Sequence, residues 1–273
     1  MQHRSMLNAS AAFLMAVLSS QRIMTAQTSA YDVTSFNGSY AYNLSGCAFD
    51  SLSGRNTRIA EAGRLTADGA GNVSGADTVI VDGGLVRRTF TGNYTINSDG
   101  TGTLVLNPSW GPQIHADLIA GEGGRVIKFV ITDSGSTLSG VIESQQAASQ
   151  TPPSGYDGGT LRGGYEYRID GTAVDCYGNV TPIREMGRLS ADGAGNLTGS
   201  STVSINGYVV RRTLSGTYSI NPDGSGSATL YPSWGPPIDL DLFVSASGLK
   251  ANFVITDSGS TLTGAMTAQS LTQ

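Results

Sequence analysis

Residues 63–141 align with residues 187–265 at a constant shift of 124, and about 45 of the 79 aligned positions are identical. A chain that repeats itself over such a length is two copies of one folding unit, so whatever closes the first core must also close the second. Asp68-Gly-Ala-Gly-Asn72 matches Asp192-Gly-Ala-Gly-Asn196, and Val86-Arg-Arg-Thr89 matches Val210-Arg-Arg-Thr213. Pro108-Ser-Trp-Gly-Pro112 matches Pro232-Ser-Trp-Gly-Pro236. Between the copies, residues 147–159 are rich in Ser, Pro and Gly and read as a linker. The expected organisation is a leader over 1–30, a first domain over 31–146, the linker, and a second domain over 160–273.

Within each copy, runs of β-branched and aromatic residues alternate with polar ones and are cut at short intervals by Asp-Gly, Ser-Gly or Asn-Gly. Helical periodicity is absent after the leader. In the first copy this predicts eight strands, near 39–45, 58–67, 72–81, 85–97, 102–107, 113–120, 125–132 and 137–144. Short connections imply antiparallel neighbours. Eight hairpin-linked strands close into an up-and-down barrel, which removes exposed edges, or fold as a two-sheet sandwich. The expected fold class is all-β: two tandem antiparallel eight-stranded barrels, with β-sandwiches as the alternative.

The phrases Gly-Ser-Tyr-Ala-Tyr at 38–42, Ala-Asp-Gly-Ala-Gly-Asn at 67–72 and Asn-Ser-Asp-Gly-Thr-Gly at 97–102 resemble repeats of secreted bacterial tandem β-proteins of uncharacterised function. The likeness covers both copies. In architecture the chain resembles the calycin or allene-oxide-cyclase type of eight-stranded barrel, a resemblance that implies a fold and transfers no functional residue.

The first 30 residues carry His3 and Arg4, an apolar stretch from Ala11 to Leu18, and small polar residues ending at Ala30, which is the plan of a secretory leader. An eight-residue apolar run is far short of the roughly 20 residues that span a bilayer as a helix, so no integral membrane segment is expected after leader removal. The expected location is extracellular or periplasmic. Cys47 and Cys176 fall in equivalent places of the two copies. A bridge between the halves and two isolated buried thiols both remain open. With a net charge of −5 and only two lysines, Lys128 and Lys250, the chain has no basic stripe for a phosphate backbone. Nucleic acid is therefore not an expected partner.

Successive side chains of a strand point to opposite faces. Counting by twos puts Tyr40, Tyr42 and Leu44 inside the first barrel, and Tyr165, Tyr167 and Ile169 inside the second. The same counting puts charges inside: Glu61 lies on the face of Ile59 and Leu65, and Arg88 on that of Val86, Phe90, Tyr94 and Ile96. Glu185 and Arg212 repeat this in the second copy. A buried charge needs a partner, and Glu with Arg can form a bidentate bridge. Two readings follow: a polar anchor at the bottom of a ligand cavity walled by Tyr40, Tyr42, Tyr165 and Tyr167, or an ion pair that holds strand register.

Trp110 and Trp234 each sit in a proline-bracketed loop at a barrel mouth. Such an indole suits stacking on a sugar or aromatic ligand, or plugging the barrel end.

The remaining polar motifs point elsewhere. Asp68-Gly-Ala-Gly-Asn72 offers one carboxylate where a calcium loop needs several oxygen ligands, so it reads as a turn. His115 is the only histidine after the leader, it is matched by Asp239, and it falls on the outer face of its strand. A catalytic triad or zinc site is thus not expected, and neither is a cofactor. Glu61 is the lone inner acid of the first copy unless Asp77, matched by Ser201, joins it; a glycosidase would need two facing carboxylates. The leading functional expectation is a secreted non-enzymatic protein that binds a small molecule, glycan or cell-surface component. The alternatives are a structural or adhesive extracellular protein and a barrel enzyme of the isomerase or cyclase type.

Overall fold

The computed structural model describes residues 31–50, 55–146, 155–174 and 179–269. The leader, linker residues 147–154 and Cys176 lie outside these residues, and with Cys176 the question of a bridge to Cys47. The first copy comprises β1 (Asn37–Asp50), β2 (Arg55–Asp68), β3 (Asn72–Val81), β4 (Gly84–Ile96), β5 (Thr101–Pro108), β6 (Ile114–Gly121), β7 (Val126–Ile131) and β8 (Ser136–Ser144). The second comprises β9 (Arg162–Val174), β10 (Val180–Asp192), β11 (Asn196–Ile205), β12 (Tyr208–Ile220), β13 (Ser225–Pro232), β14 (Ile238–Ser245), β15 (Lys250–Ile255) and β16 (Ser260–Ala268). Each set pairs antiparallel in chain order and closes on itself, β1 against β8 and β9 against β16. Both copies are closed up-and-down barrels; the sandwich alternative does not occur.

β1 runs several residues beyond its expected end because Gly46 lets the strand curl without leaving either neighbour. Gly46 pairs with Ile59 on β2 and Leu138 on β8 at a φ of +148°. A Cβ there would sit 2.2 Å from the Thr137 carbonyl oxygen, so only glycine fits. Gly171 does the same on β9, at φ +149°.

The odd-even alternation holds. Inward residues from all eight strands of the first barrel pack into one core with Phe36, and Leu161 takes the place of Phe36 in the second. A short 3-10 turn, Val33–Ser35, capped by the Asp32 carboxylate, tucks Phe36 into the end of the first barrel. There the ring meets Tyr40 and Tyr94 edge-on, each at 4.8 Å between centroids. That end is closed by apolar packing, with the Tyr40 hydroxyl donating to the Gly124 carbonyl at 3.1 Å.

A third apolar cluster joins the barrels. Outward residues Ala41, Ala60, Ala62 and Ile80 of the first barrel pack against Phe243 and Val254 of the second. Polar contacts frame this seam. Arg87 donates twice to Asp241, at 2.9 and 3.0 Å, and the Thr78 hydroxyl donates to the same carboxylate at 2.7 Å. Arg64 pairs with Asp223 at 2.8 Å and Lys250 with Glu143 at 2.6 Å. The Gly259 N–H donates to the Gly83 carbonyl across the seam at 3.3 Å. The halves keep separate cores and dock side by side.

Candidate functional site

Strand register builds a polar row near the barrel end opposite the Phe36 plug. Tyr42 on β1 pairs with Gly63 on β2, Gly63 with Asp77 on β3, and Asp77 with Arg88 on β4. Four neighbouring strands thus present one level of inward positions, with Glu61 two residues along from Gly63. Gly63 is what lets the row assemble. A Cβ there would lie 2.8 Å from the Tyr42 ring and 2.7 Å from the Asp77 Cβ, so its absence leaves the tyrosine free to cross β2 and reach the acids. The second barrel repeats the row as Tyr167, Gly187, Ser201 and Arg212, with Glu185 in the place of Glu61.

The row is buried in both barrels. Arg88 donates from Nη2 to Glu61 Oε2 at 3.0 Å, from Nε to Asp77 Oδ1 at 3.0 Å, and from Nη1 to the Trp110 carbonyl at 3.1 Å. The expected bidentate Glu–Arg bridge is therefore replaced by a guanidinium divided among three acceptors, and Asp77 does join Glu61 inside. In the second barrel Arg212 donates to Glu185 at 2.7 Å, to the Ser201 hydroxyl at 3.3 Å and to the Trp234 carbonyl at 3.0 Å.

One substitution changes the electrostatics. The first barrel has two acids against one guanidinium; the second has one against one. The Tyr42 hydroxyl lies 2.6 Å from Glu61 Oε1 and 2.9 Å from Asp77 Oδ2. A phenol carries a single proton, so it donates to one carboxyl and must accept from the other. The acid pair therefore holds a proton. Consistent with this, burial and the neighbouring Asp77 push Glu61 up to about 8 against the opposing pull of Arg88. Burial, then the two acids, lift the Tyr42 phenol well above its ordinary value. In the second barrel Tyr167 donates to Glu185 at 2.7 Å and needs no such shared proton.

The rows hold the tryptophan loops. Ser109 N–H donates to the Thr89 carbonyl at 2.8 Å and Thr89 N–H to the Ser109 hydroxyl at 3.1 Å, so the loop joining β5 and β6 is stitched to β4 beside Arg88. Ser233 and Thr213 make the same pair of bonds in the second copy, at 2.9 and 3.1 Å. With the Trp carbonyl held from inside, the indoles of Trp110 and Trp234 stand out at 51% and 52% exposure.

Of the residues singled out by sequence, the structure brings together Tyr42, Glu61, Arg88 and the Trp110 backbone, and likewise Tyr167, Glu185, Arg212 and the Trp234 backbone. Tyr40 and Tyr165 lie apart from these rows, at the plugged ends, where Tyr165 donates to Gly248 O at 2.9 Å. Around the rows the interiors are filled, with voids of only about 20 Å³ in the first barrel and 30 Å³ in the second. Such a void suits about one water. His115 is on the outer surface, 2.7 Å from Asp133. The Asp68 carboxylate accepts from Ala70 N–H, Asn72 N–H and the Asn72 side chain at 2.7, 2.9 and 2.6 Å, which is turn chemistry. Two contributions went unread in the sequence. The role of Gly63 was one, although its place on the inner parity between Glu61 and Leu65 was visible. The seam was the other: Arg87 and Asp241 are outward charges whose pairing depends on how the barrels meet.

No protein-family model matches the chain, and no curated protein matches it. Among solved structures, the chain is similar to a putative AttH from Nitrosomonas europaea, at 8% identity and a TM-score of 0.29, over 85% of this chain and 92% of that one.

Proposed function

We propose that the protein is a secreted, non-enzymatic binding protein that contacts a glycan or other cell-surface component through its paired tryptophan loops. The carrying observation is the exposure of both indoles on loops whose backbone is clamped by a buried arginine. An exposed indole on a mobile loop loses entropy on binding, whereas one on a held loop keeps most of its stacking energy. In this reading Tyr42, Glu61 and Arg88, with Tyr167, Glu185 and Arg212, act as the inner anchor of the loop. The small interior voids argue against a ligand or substrate enclosed in either barrel, which also weighs against the isomerase or cyclase reading. Secretion rests on the leader-like N-terminus, and mass spectrometry of the native material reads its removal.

Titration of tryptophan fluorescence with a panel of soluble glycans tests the binding role. Saturable shifts that vanish in Trp110→Ala/Trp234→Ala are expected. A flat response of the wild-type protein across the panel overturns it.

A second reading, a structural or adhesive extracellular protein, is favoured by the filled cores and by the way the barrels dock.

A further inference from the structure

The seam between the barrels is head to tail. The first barrel contributes the outer face of β1–β4, and the second contributes the outer face of β14–β16. Because the two barrels are copies, each retains the face that the other has used. The second barrel still shows β9–β12 outward, and the first still shows β6, β7 and the part of β8 before Glu143. An interface of this heterologous kind does not satisfy itself and leaves one free half at each end.

The free halves repeat the charge pattern of the joined halves. On the joined faces Arg87 and Thr78 hold Asp241, and Arg64 holds Asp223. The positions equivalent to Arg87, Thr78 and Arg64 are Arg211, Thr202 and Arg188, all on the free face of the second barrel. Those equivalent to Asp241 and Asp223 are Asp117 and Asp99, on the free side of the first. Among the described residues neither Arg188 nor Arg211 has a carboxylate partner; Arg188 donates to the Gln269 side chain at 3.0 Å. Asp223 uses Oδ1 for its own turn, accepting from Ser225, and Oδ2 for Arg64. Asp99 accepts from Thr101 through Oδ1 in the same way, and no hydrogen bond to its Oδ2 occurs among the described residues.

The apolar positions agree only in part: Ala41, Ala60 and Ile80, covered in the seam, correspond to Glu166, Arg184 and Ser204. Phe243 and Val254, buried in the seam at 6% and 0% exposure, correspond to Ile119 and Val130, which stand 62% and 48% exposed. On the opposite free face, Met186 and Val209 replace the covered Ala62 and Leu85 and are 64% and 58% exposed. Of the ion pairs in the seam, Lys250–Glu143 is not repeated, since these residues correspond to Val126 and Thr267; the free faces instead carry Glu166 and Arg184 in the places of Ala41 and Ala60, and Lys128 in the place of Asn252, and are more charged than the joined ones. A groove of about 960 Å³ lies open on this face, lined by Met186, Arg188, Thr202 and Arg211 among others.

We infer that a second copy of this chain docks there, its β6–β8 face seating on the β9–β12 face of the first, with Asp117 against Arg211 and Asp99 against Arg188. The internal seam is thereby continued between molecules and extends the chain of barrels. This inference does not rest on the tryptophans. Within one molecule the linker supplies a high effective concentration that a second molecule lacks, so the contact between molecules is the weaker one.

Sedimentation velocity of the full chain over a range of concentrations tests the proposal, with circular dichroism confirming that each variant is folded. The wild type is expected to form species larger than a monomer as concentration rises, and added salt to dissolve them. Arg211→Glu blocks one face and Asp117→Arg the other, so each variant alone is expected to be monomeric. Mixed in equal amounts, they supply one wild-type junction and one with the charges exchanged, and should recover species larger than a monomer. A wild type that stays monomeric throughout, single variants that assemble like the wild type, or a mixture that yields no dimer would each overturn it.

Discussion

Asp77 and Ser201 occupy the same register position, one beside Arg88 and the other beside Arg212, and through this pair the first barrel holds one more buried carboxyl group than the second. The barrels are otherwise near copies at this level, so the protein carries its own control. Glu61 is held up to about 8 against an ordinary value of 4.5, so the folded first barrel keeps a proton that the unfolded chain releases at lower pH. The stabilising effect of that bound proton is fully present below about 4.5 and is lost as pH rises through about 8.

Stability measured by urea unfolding should therefore decline from pH 5 to pH 8, at no more than about 1.4 kcal/mol per pH unit, and then level off. Asp77→Ser makes the first barrel resemble the second and should flatten the decline. A slope unchanged by Asp77→Ser would mean that the proton resides elsewhere.

Glutamine in place of each glutamate separates the two sites further. In the first barrel the amide introduced by Glu61→Gln can accept from Arg88 through its oxygen and donate to the Tyr42 hydroxyl, which then donates to Asp77. It reproduces the protonated acid. Glu61→Gln should leave stability within about 1 kcal/mol of wild type below about pH 4.5, abolish the decline, and so exceed wild type increasingly from pH 5 to pH 8. In the second barrel Glu185→Gln strips Arg212 of its one carboxylate partner among the described residues and should cost about 3–5 kcal/mol. Equal effects at the two positions would contradict a protonated Glu61 beside an ionised partner in the first row alone.

The fold was largely legible because strand parity is a local property. Tyr42, Glu61 and Arg88 could be placed inside by counting from their own neighbours. Even the Asp77 to Ser201 difference was visible as one outcome of the same counting. The division of Arg88 among three acceptors was not legible, because it depends on where β1, β3 and the Trp110 loop stand beside β4. Nor was the seam, since the covered Ile80 and the half-exposed Val130 both read as outward apolar residues. What separates them is a docking geometry that no single strand encodes.

Loss of an inner arginine should be felt at the loop it holds. In a Trp234→Phe background the remaining indole is Trp110, and adding Arg88→Met removes the bond to its carbonyl. Faster fluorescence depolarisation of Trp110 is expected, together with a loss of about 3 kcal/mol from the stranded acids, softened as they take up protons. Adding Arg212→Met instead should leave the Trp110 signal as it was. Depolarisation that responds equally to both arginines would deny the loop its local anchor.

The seam makes a quantitative claim about which contacts join the barrels. Phe243 is an outward side chain that is nonetheless buried, and its partners are the small Ala60 and Ala62 and the Ile80 side chain. Truncation to alanine leaves a gap that two rigid barrel walls cannot collapse to fill, so Phe243→Ala should cost about 3–5 kcal/mol. Arg87, whose side chain is 60% exposed, pairs with Asp241 in high dielectric, and Arg87→Ala should cost less than about 1 kcal/mol. Calorimetry distinguishes the two, since loss of the apolar contact should split one melting transition into two as the barrels unfold independently. Should Arg87→Ala split the transition while Phe243→Ala leaves it single, the seam would be held by its charges and not by its apolar contact.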